Sequence, residues 1–219
     1  MLPSKKPFEE QTYVDHSFFL RGLIVGFSIA APVGPIGVLC IRRTLAEGRA
    51  VGFISGLGAA TADGTYGLIA AFGLTSIAAF FVGHQLWLRV VGGAFLLFLG
   101  YKTLAAHPAV RPAVGTGDTR LVGAYSSTLF LTLTNPMTIL SFAAVFAGLG
   151  LGTAAGDYRT AGVLVLGVFL GSALWWGVLS GLTGMFRSRF DRGGLRWVNM
   201  ISGTIITAFG VAAIAAAGR

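Results

Sequence analysis

The sequence predicts an all-α integral membrane fold: six transmembrane helices arranged as two inverted three-helix repeats. Composition, six long apolar runs and matching patterns in the two halves carry that expectation. Of 219 residues, 54% are hydrophobic and only 11% charged, against about 25% charged in an ordinary soluble domain. A water-facing surface cannot be built from so few charges.

A helix needs about 20 mostly apolar residues to cross a bilayer. Six stretches reach or approach that length: 18–41, 50–82, 86–104, 122–151, 161–186 and 198–217. The first is too long for a secretory signal, and Arg42 and Arg43 follow it, which is the wrong flank for cleavage. It therefore reads as a retained span. Residues 1–17 before it form an external arm in which Lys5 and Lys6 are balanced by Glu9, Glu10 and Asp15. The connections between spans leave no room for a soluble domain, so residues 18–217 form one six-helix domain, with repeat one at about 18–106 and repeat two at about 122–217.

The formal charge of +8 would suggest nucleic acid in a soluble protein. Here the cations sit in alternate connections: Arg42, Arg43 and Arg49 after span one, Lys102, Arg111 and Arg120 between spans three and four, and Arg187, Arg189, Arg192 and Arg196 between spans five and six. The other connections hold only Arg89 and Arg159. This asymmetry places the three Arg-rich loops in the cytoplasm and both termini outside; no nucleic-acid partner is expected. Cys40 is the only cysteine, which excludes an intrachain disulfide and dithiol chemistry.

The two halves repeat. A shift of 110 residues sets Gly93 on Gly203 and Gly100 on Gly210; a shift of 101 sets Pro35 on Pro136 and Leu39 on Leu140; a shift of 111 sets Gly56 on Gly167 and Ala60 on Gly171. Because each half has an odd number of spans, the halves enter the membrane from opposite sides, an arrangement typical of transporters.

Span one carries Ala31-Pro32-Val33-Gly34-Pro35-Ile36-Gly37, and span four carries Thr134-Asn135-Pro136-Met137-Thr138 at the matching position. Proline cannot donate to the carbonyl four residues back, so Pro32, Pro35 and Pro136 should free the carbonyls of Ser28, Ala31 and Thr132, and Gly34 and Gly37 relax the backbone further. Freed groups must face protein or a water-filled cavity. One such proline reads as a structural kink; two at matching positions of two repeats point to a substrate site made of Pro32, Gly34, Pro35, Gly37, Asn135 and Pro136. Asp63 is the ionisable residue deep within a span, about 20 Å inward from Arg49 at helical rise. A carboxylate there must be neutral, hydrated or paired, and is a candidate proton relay. The alternative is a protonated Asp63 bonded to a nearby group such as Thr61 or Thr65.

Other residues carry less. His16, His84 and His107 lie at or beyond span ends without zinc-ligand spacing. Trp175 and Trp176 could line a pocket, pack or face lipid. Gly52 and Gly56, Gly167 and Gly171, and Gly177 and Gly181 have the spacing of close helix contacts, within one chain or in a homo-oligomer. Asn199 reads as an interfacial polar residue.

From about Phe19 to the end of span six, the chain resembles the LysE/RhtB family of bacterial amino-acid exporters. The resemblance rests on Ala31-Pro32-Val33-Gly34-Pro35 with Arg42 and Arg43 behind it, on Gly56-Leu57-Gly58-Ala59-Ala60-Thr61-Ala62-Asp63, on Gly93 to Gly100, and on Asn135-Pro136. It implies a multi-pass exporter of amino acids or related small metabolites in the bacterial inner membrane, driven by protons and using no cofactor. Many relatives have Pro-Gly-Pro where this chain has Pro32-Val33-Gly34-Pro35, and lysine where it has Met137, so the cargo stays open.

The residues themselves suggest a mechanism. Helix N-termini at the two breaks would offer N–H groups to a substrate carboxylate, while freed carbonyls and Asp63 meet the ammonium. Protonation of Asp63 from outside would weaken that hold and release the substrate, which is antiport. A divalent-cation transporter or channel is the alternative, but a cation needs several converging oxygen ligands. An intramembrane enzyme would need a nucleophile and base at depth.

Overall fold

The computed structural model describes residues 8–72, 79–80, 83–106, 117–148 and 158–217. Its described secondary structure is helical: α1 (Phe8–Ala30), α2 (Pro35–Glu47), α3 (Arg49–Ala71), α4 (Gln85–Leu104), α5 (Gly117–Leu133), α6 (Pro136–Gly148), α7 (Tyr158–Met185), a short 3-10 turn (Arg187–Arg189) and α8 (Arg192–Ala215). The ends of the expected second and fourth spans (73–78, 81–82 and 149–151), His107 and Arg111 lie outside the described residues, as do residues 1–7 of the arm.

Local sequence sets the boundaries. Pro35 stands at the first position of α2, where its missing N–H would have no partner anyway. Gly48 ends α2 at φ 111°, a backbone region that side chains disfavour, and its N–H donates to Arg43 O (3.2 Å) and Thr44 O (3.1 Å). Asp191 caps α8: its Oδ1 accepts from Gly194 N–H at 2.7 Å. The first expected span is in fact two helices, since His16–Ala30 and Pro35–Glu47 are bent by 82° across the Pro32 to Gly34 break. Helix α1 also begins at Phe8, earlier than the span expected from residue 18.

Three helical stretches are long and apolar enough to cross a membrane, Gln85–Leu104, Tyr158–Arg189 and Gly193–Ala215, and the bent pair makes a fourth when counted as one span. The chain is thus a multi-pass membrane protein. Helix α3, expected as span two, is long enough but not so apolar, because it carries Ser55, Thr61, Asp63 and Thr65 among its glycines. Its packing explains how it tolerates them. It is flanked by α2, α5 and α7 and buries Ser55, Asp63 and Tyr66, so little of it needs to meet lipid. The expected fourth span is divided at Thr134-Asn135 into α5 and α6, each short on its own.

The main packing partners are reciprocal between halves: α1 lies on α7 and α5 on α3, while α3 meets α7 and α4 meets α8. Close approach needs glycine at these seams. A Cβ on Gly26 would strike the Val168 carbonyl and one on Gly171 the Leu23 carbonyl; on the other seam, Gly93 would approach Gly210 O (3.0 Å) and Gly210 would approach Gly93 O (2.9 Å). The glycine spacings therefore serve contacts within the chain: Gly167 and Gly171 meet α1, Gly56 meets Trp176 and Gly177 meets Phe53, while none of the described residues packs on Gly181.

Candidate functional site

Asp63 is 3% exposed, in the middle of α3. Ser172 Oγ on α7 donates to its Oδ2 at 2.7 Å, and Trp176 Nε1, one turn further along α7, donates to Ser172 Oγ at 3.2 Å. The carboxyl partner is thus a hydroxyl from the other half of the chain. Thr61 and Thr65, the local candidates, instead donate back to Leu57 O (2.9 Å) and Thr61 O (2.8 Å) on their own helix, the usual habit of threonine in a helix. Trp176 is buried in a cluster with Ala30 and Ile36, which bracket the first break, while Trp175 makes an edge contact with Phe27 at 5.3 Å.

One turn along α3 from Asp63, Tyr66 Oη donates to Leu133 O at 2.6 Å. Leu133 is the last residue of α5, so a buried phenol satisfies a carbonyl at the second break. The prolines do not kink continuous helices. Pro35 and Pro136 each begin a new helix, and Thr132 O, expected to be free, accepts from Asn135 N–H at 3.2 Å. Asn135 Oδ1 accepts from Met137 N–H at 3.1 Å, closing the start of α6. By contrast, Gly34 caps α2 without any side-chain hydrogen bond. The two helix N-termini therefore differ: that of α6 is capped by a side chain and that of α2 is not. Around the first break Pro32 and Val33 are exposed, Gly34 and Pro35 are half-buried and Gly37 is buried.

The Arg-rich connections meet at one end of the bundle. Glu47 accepts from Arg42 Nη1 (3.3 Å) and Arg120 Nε (2.9 Å), tying α2 to α5. Arg42 Nε donates to Asn199 Oδ1 (3.1 Å), Asn199 Nδ2 to Ala106 O (3.1 Å) and Arg187 Nε to Leu45 O (3.1 Å). Asn199 is therefore a buried bridge at 3% exposure, not an interfacial residue. Arg43 lies inside the protein and donates to Ser55 Oγ (2.9 Å), Ala124 O (3.0 Å) and Ser127 Oγ (2.8 Å). At this end α2, α4 and α5 enclose a cavity of about 500 Å³. Asp63, Pro32, Gly34, Pro35, Gly37 and Asn135 do not line it.

Charge pattern alone marks Arg42 and Arg43 as topology signals, and that reading missed Arg43's burial. Helical spacing could have found it: Arg43 falls three and four residues after Cys40 and Leu39, on the buried face of α2. Ser172 and Tyr66 gave no local signal.

Comparison with known proteins identifies a family. The family model described as LysE type translocator matches residues 27–216. The chain is 31% identical over 200 residues to "Putative amino acid efflux protein YcgF" of Bacillus subtilis (strain 168), covering 89% of this chain and 93% of that protein. It is 28% identical over 111 residues to "Uncharacterized membrane protein YahN" of Escherichia coli (strain K12), covering 49% of each. No solved structure matches. The chain belongs to the LysE type translocator family.

Proposed function

We propose that the protein exports amino acids or related small metabolites across the bacterial inner membrane by proton antiport. The carrying observation is Asp63, an acid buried in α3 and held by Ser172 of α7. An intramembrane acid on a helix seam is suited to a proton relay. Efflux is named for the Bacillus subtilis relative and fits the family.

In this reading residues 18–217 are a six-span domain of two inverted repeats behind an external arm of residues 1–17. The reciprocal pairing of α1 with α7 and α5 with α3 supports it, as does the clustering of the Arg-rich connections at one end. That end faces the cytoplasm. Substrate binds near the breaks, at Pro32, Gly34, Pro35, Gly37, Asn135 and Pro136. The uncapped N-terminus of α2 offers N–H groups to its carboxylate, and Asp63 meets its ammonium. Proton and ammonium compete for one carboxylate, so protonation from outside releases the substrate and deprotonation inside resets the site. Asp63's partner, one hydroxyl, suits proton exchange better than a divalent cation, which needs several oxygen ligands.

Feeding dipeptides to a deletion strain and measuring intracellular amino-acid pools tests this. Accumulation of one or more amino acids, reversed by restoring the gene, is expected; unchanged pools across the amino acids would contradict it.

A further inference from the structure

The cavity at the Arg-rich end has a charge imbalance that nothing in the export cycle above uses. It is lined by Arg42, Arg43, Lys102 and Arg120 against the single carboxylate of Glu47, a formal net of +3. Glu47 is already shared between Arg42 and Arg120. Arg43 is 8% exposed, yet its guanidinium bonds go to two hydroxyls and a carbonyl. Three of its five N–H donors are occupied and none by an anion, an expensive state for a buried charge. Lys102 Nζ sits 5.3 Å from the Phe98 ring and, among the described residues, makes no ion pair. The opposite walls are apolar, from Leu39, Phe95 and Leu99, and the volume of about 500 Å³ falls within the range of small-molecule sites. A ligand with one anionic group and a short apolar or flexible body fits both halves of this lining.

We propose that this cavity is a cytoplasmic loading site that holds the carboxylate of the exported molecule before it enters the bundle. The inference rests on the amino-acid-export reading. Arg43 and Lys102 supply the positive field, and the incoming carboxylate competes with Glu47 for Arg42 and Arg120. Because the Arg120–Glu47 pair joins α2 to α5, loading loosens a tie between the two halves of the chain at the face from which an exporter takes its cargo. The same anion chemistry is offered by an acidic lipid headgroup, and lipid composition separates the two sources.

The test uses the full-length protein in phosphatidylcholine nanodiscs. Binding of leucine, threonine and lysine is measured by equilibrium dialysis, each beside its amide, which lacks the carboxylate. At least one amino acid should bind and its amide should not, and Lys102→Gln and Arg120→Gln should each weaken binding about tenfold, as expected for loss of one charge-assisted contact. Both variants lie away from the core, and Arg43→Lys, which keeps the charge, should bind better than Arg43→Gln. Equal binding of acid and amide, no binding of any probe, or unchanged affinity in both Gln variants would overturn the proposal. Loss of amino-acid binding when phosphatidylglycerol is added would assign the cavity to lipid and also overturn it. Efflux from cells separates this failure from that of the export reading. Unchanged efflux KM in Lys102→Gln removes the loading site and leaves export standing, whereas absence of any amino-acid efflux in the wild type removes the export reading and the loading role with it.

Discussion

Ser172 Oγ donates a 2.7 Å hydrogen bond to Asp63 Oδ2, joining the middle of α3 to α7 at a point where both side chains are buried. Trp176 Nε1 donates to the same hydroxyl at 3.2 Å, so the serine is oriented from behind while it serves the acid. The hydroxyl is thereby fixed rather than free to rotate toward its own helix. Ser172→Ala leaves both the carboxyl and the indole without this partner. The expected result is a loss of about 1 kcal/mol of stability, typical of hydrogen bonds between membrane helices, with efflux impaired more than membrane abundance; Ser172→Thr should retain most of both. Thermal unfolding in detergent and efflux from preloaded cells measure the two effects, and wild-type behaviour of the alanine variant would count against the pair.

Tyr66 gives a separate prediction. Its hydroxyl meets Leu133 O at the second break at 2.6 Å, so Tyr66→Phe removes a donor from a carbonyl at the end of a helix. A buried acceptor left unpaired costs about 1–3 kcal/mol. Hydrogen exchange of the amides around Asn135 should rise in the variant, and unchanged protection there would show that the break holds without the phenol.

The seam between α1 and α7 predicts an asymmetric response to small substitutions. Gly26→Ala and Gly171→Ala would each drive a methyl group into a backbone carbonyl of the neighbouring helix, whereas Gly123→Ala meets none of the described residues within 4 Å. Overpacking of that kind costs about 1–3 kcal/mol. The first two variants should unfold at lower temperature than the wild type and Gly123→Ala should not; equal melting of all three would contradict the close approach.

The Arg-rich end should be cytoplasmic. Reporter fusions after Arg49 and after Asp157 should give a cytoplasmic signal at the first site and an external one at the second. The opposite pattern would invert the orientation and place the cavity outside.

Much of this fold is legible because the bilayer imposes simple rules. The apolar runs at 86–104, 161–186 and 198–217 become α4, α7 and α8 with ends shifted by at most six residues, since helices that cross lipid must clothe themselves in apolar side chains. Both proline motifs mark true interruptions, for proline disrupts helix pairing wherever it falls inside one. What the motifs could not reveal is what satisfies the freed groups. Thr132 O is taken by Asn135 N–H and Leu133 O by Tyr66, the second from a helix far away in sequence. Asp63 was visible as an acid in an apolar run, but its partner Ser172 lies 109 residues away and no local pattern distinguishes it from other serines. Arg43 was hidden by its own neighbours: among arginines read as a topology signal, the one turned inward is identified only by its register with Leu39 and Cys40. Asn199 is similar, since a polar residue near a helix start reads as surface until Arg42 and Ala106 are seen to enclose it.

Asp63 carries the central claim, and one substitution addresses it directly. Asp63→Asn keeps nearly the same volume and can still accept from Ser172, but it cannot ionise. Efflux of a labelled amino acid from preloaded cells is measured with and without an imposed pH gradient, alongside the membrane abundance of each variant. The account predicts that the asparagine variant inserts at wild-type abundance and loses gradient-driven efflux, while Asp63→Glu, which keeps the acid on a longer arm, is impaired less. Wild-type efflux by the asparagine variant with unchanged dependence on the gradient would contradict it and leave Asp63 a structural polar group.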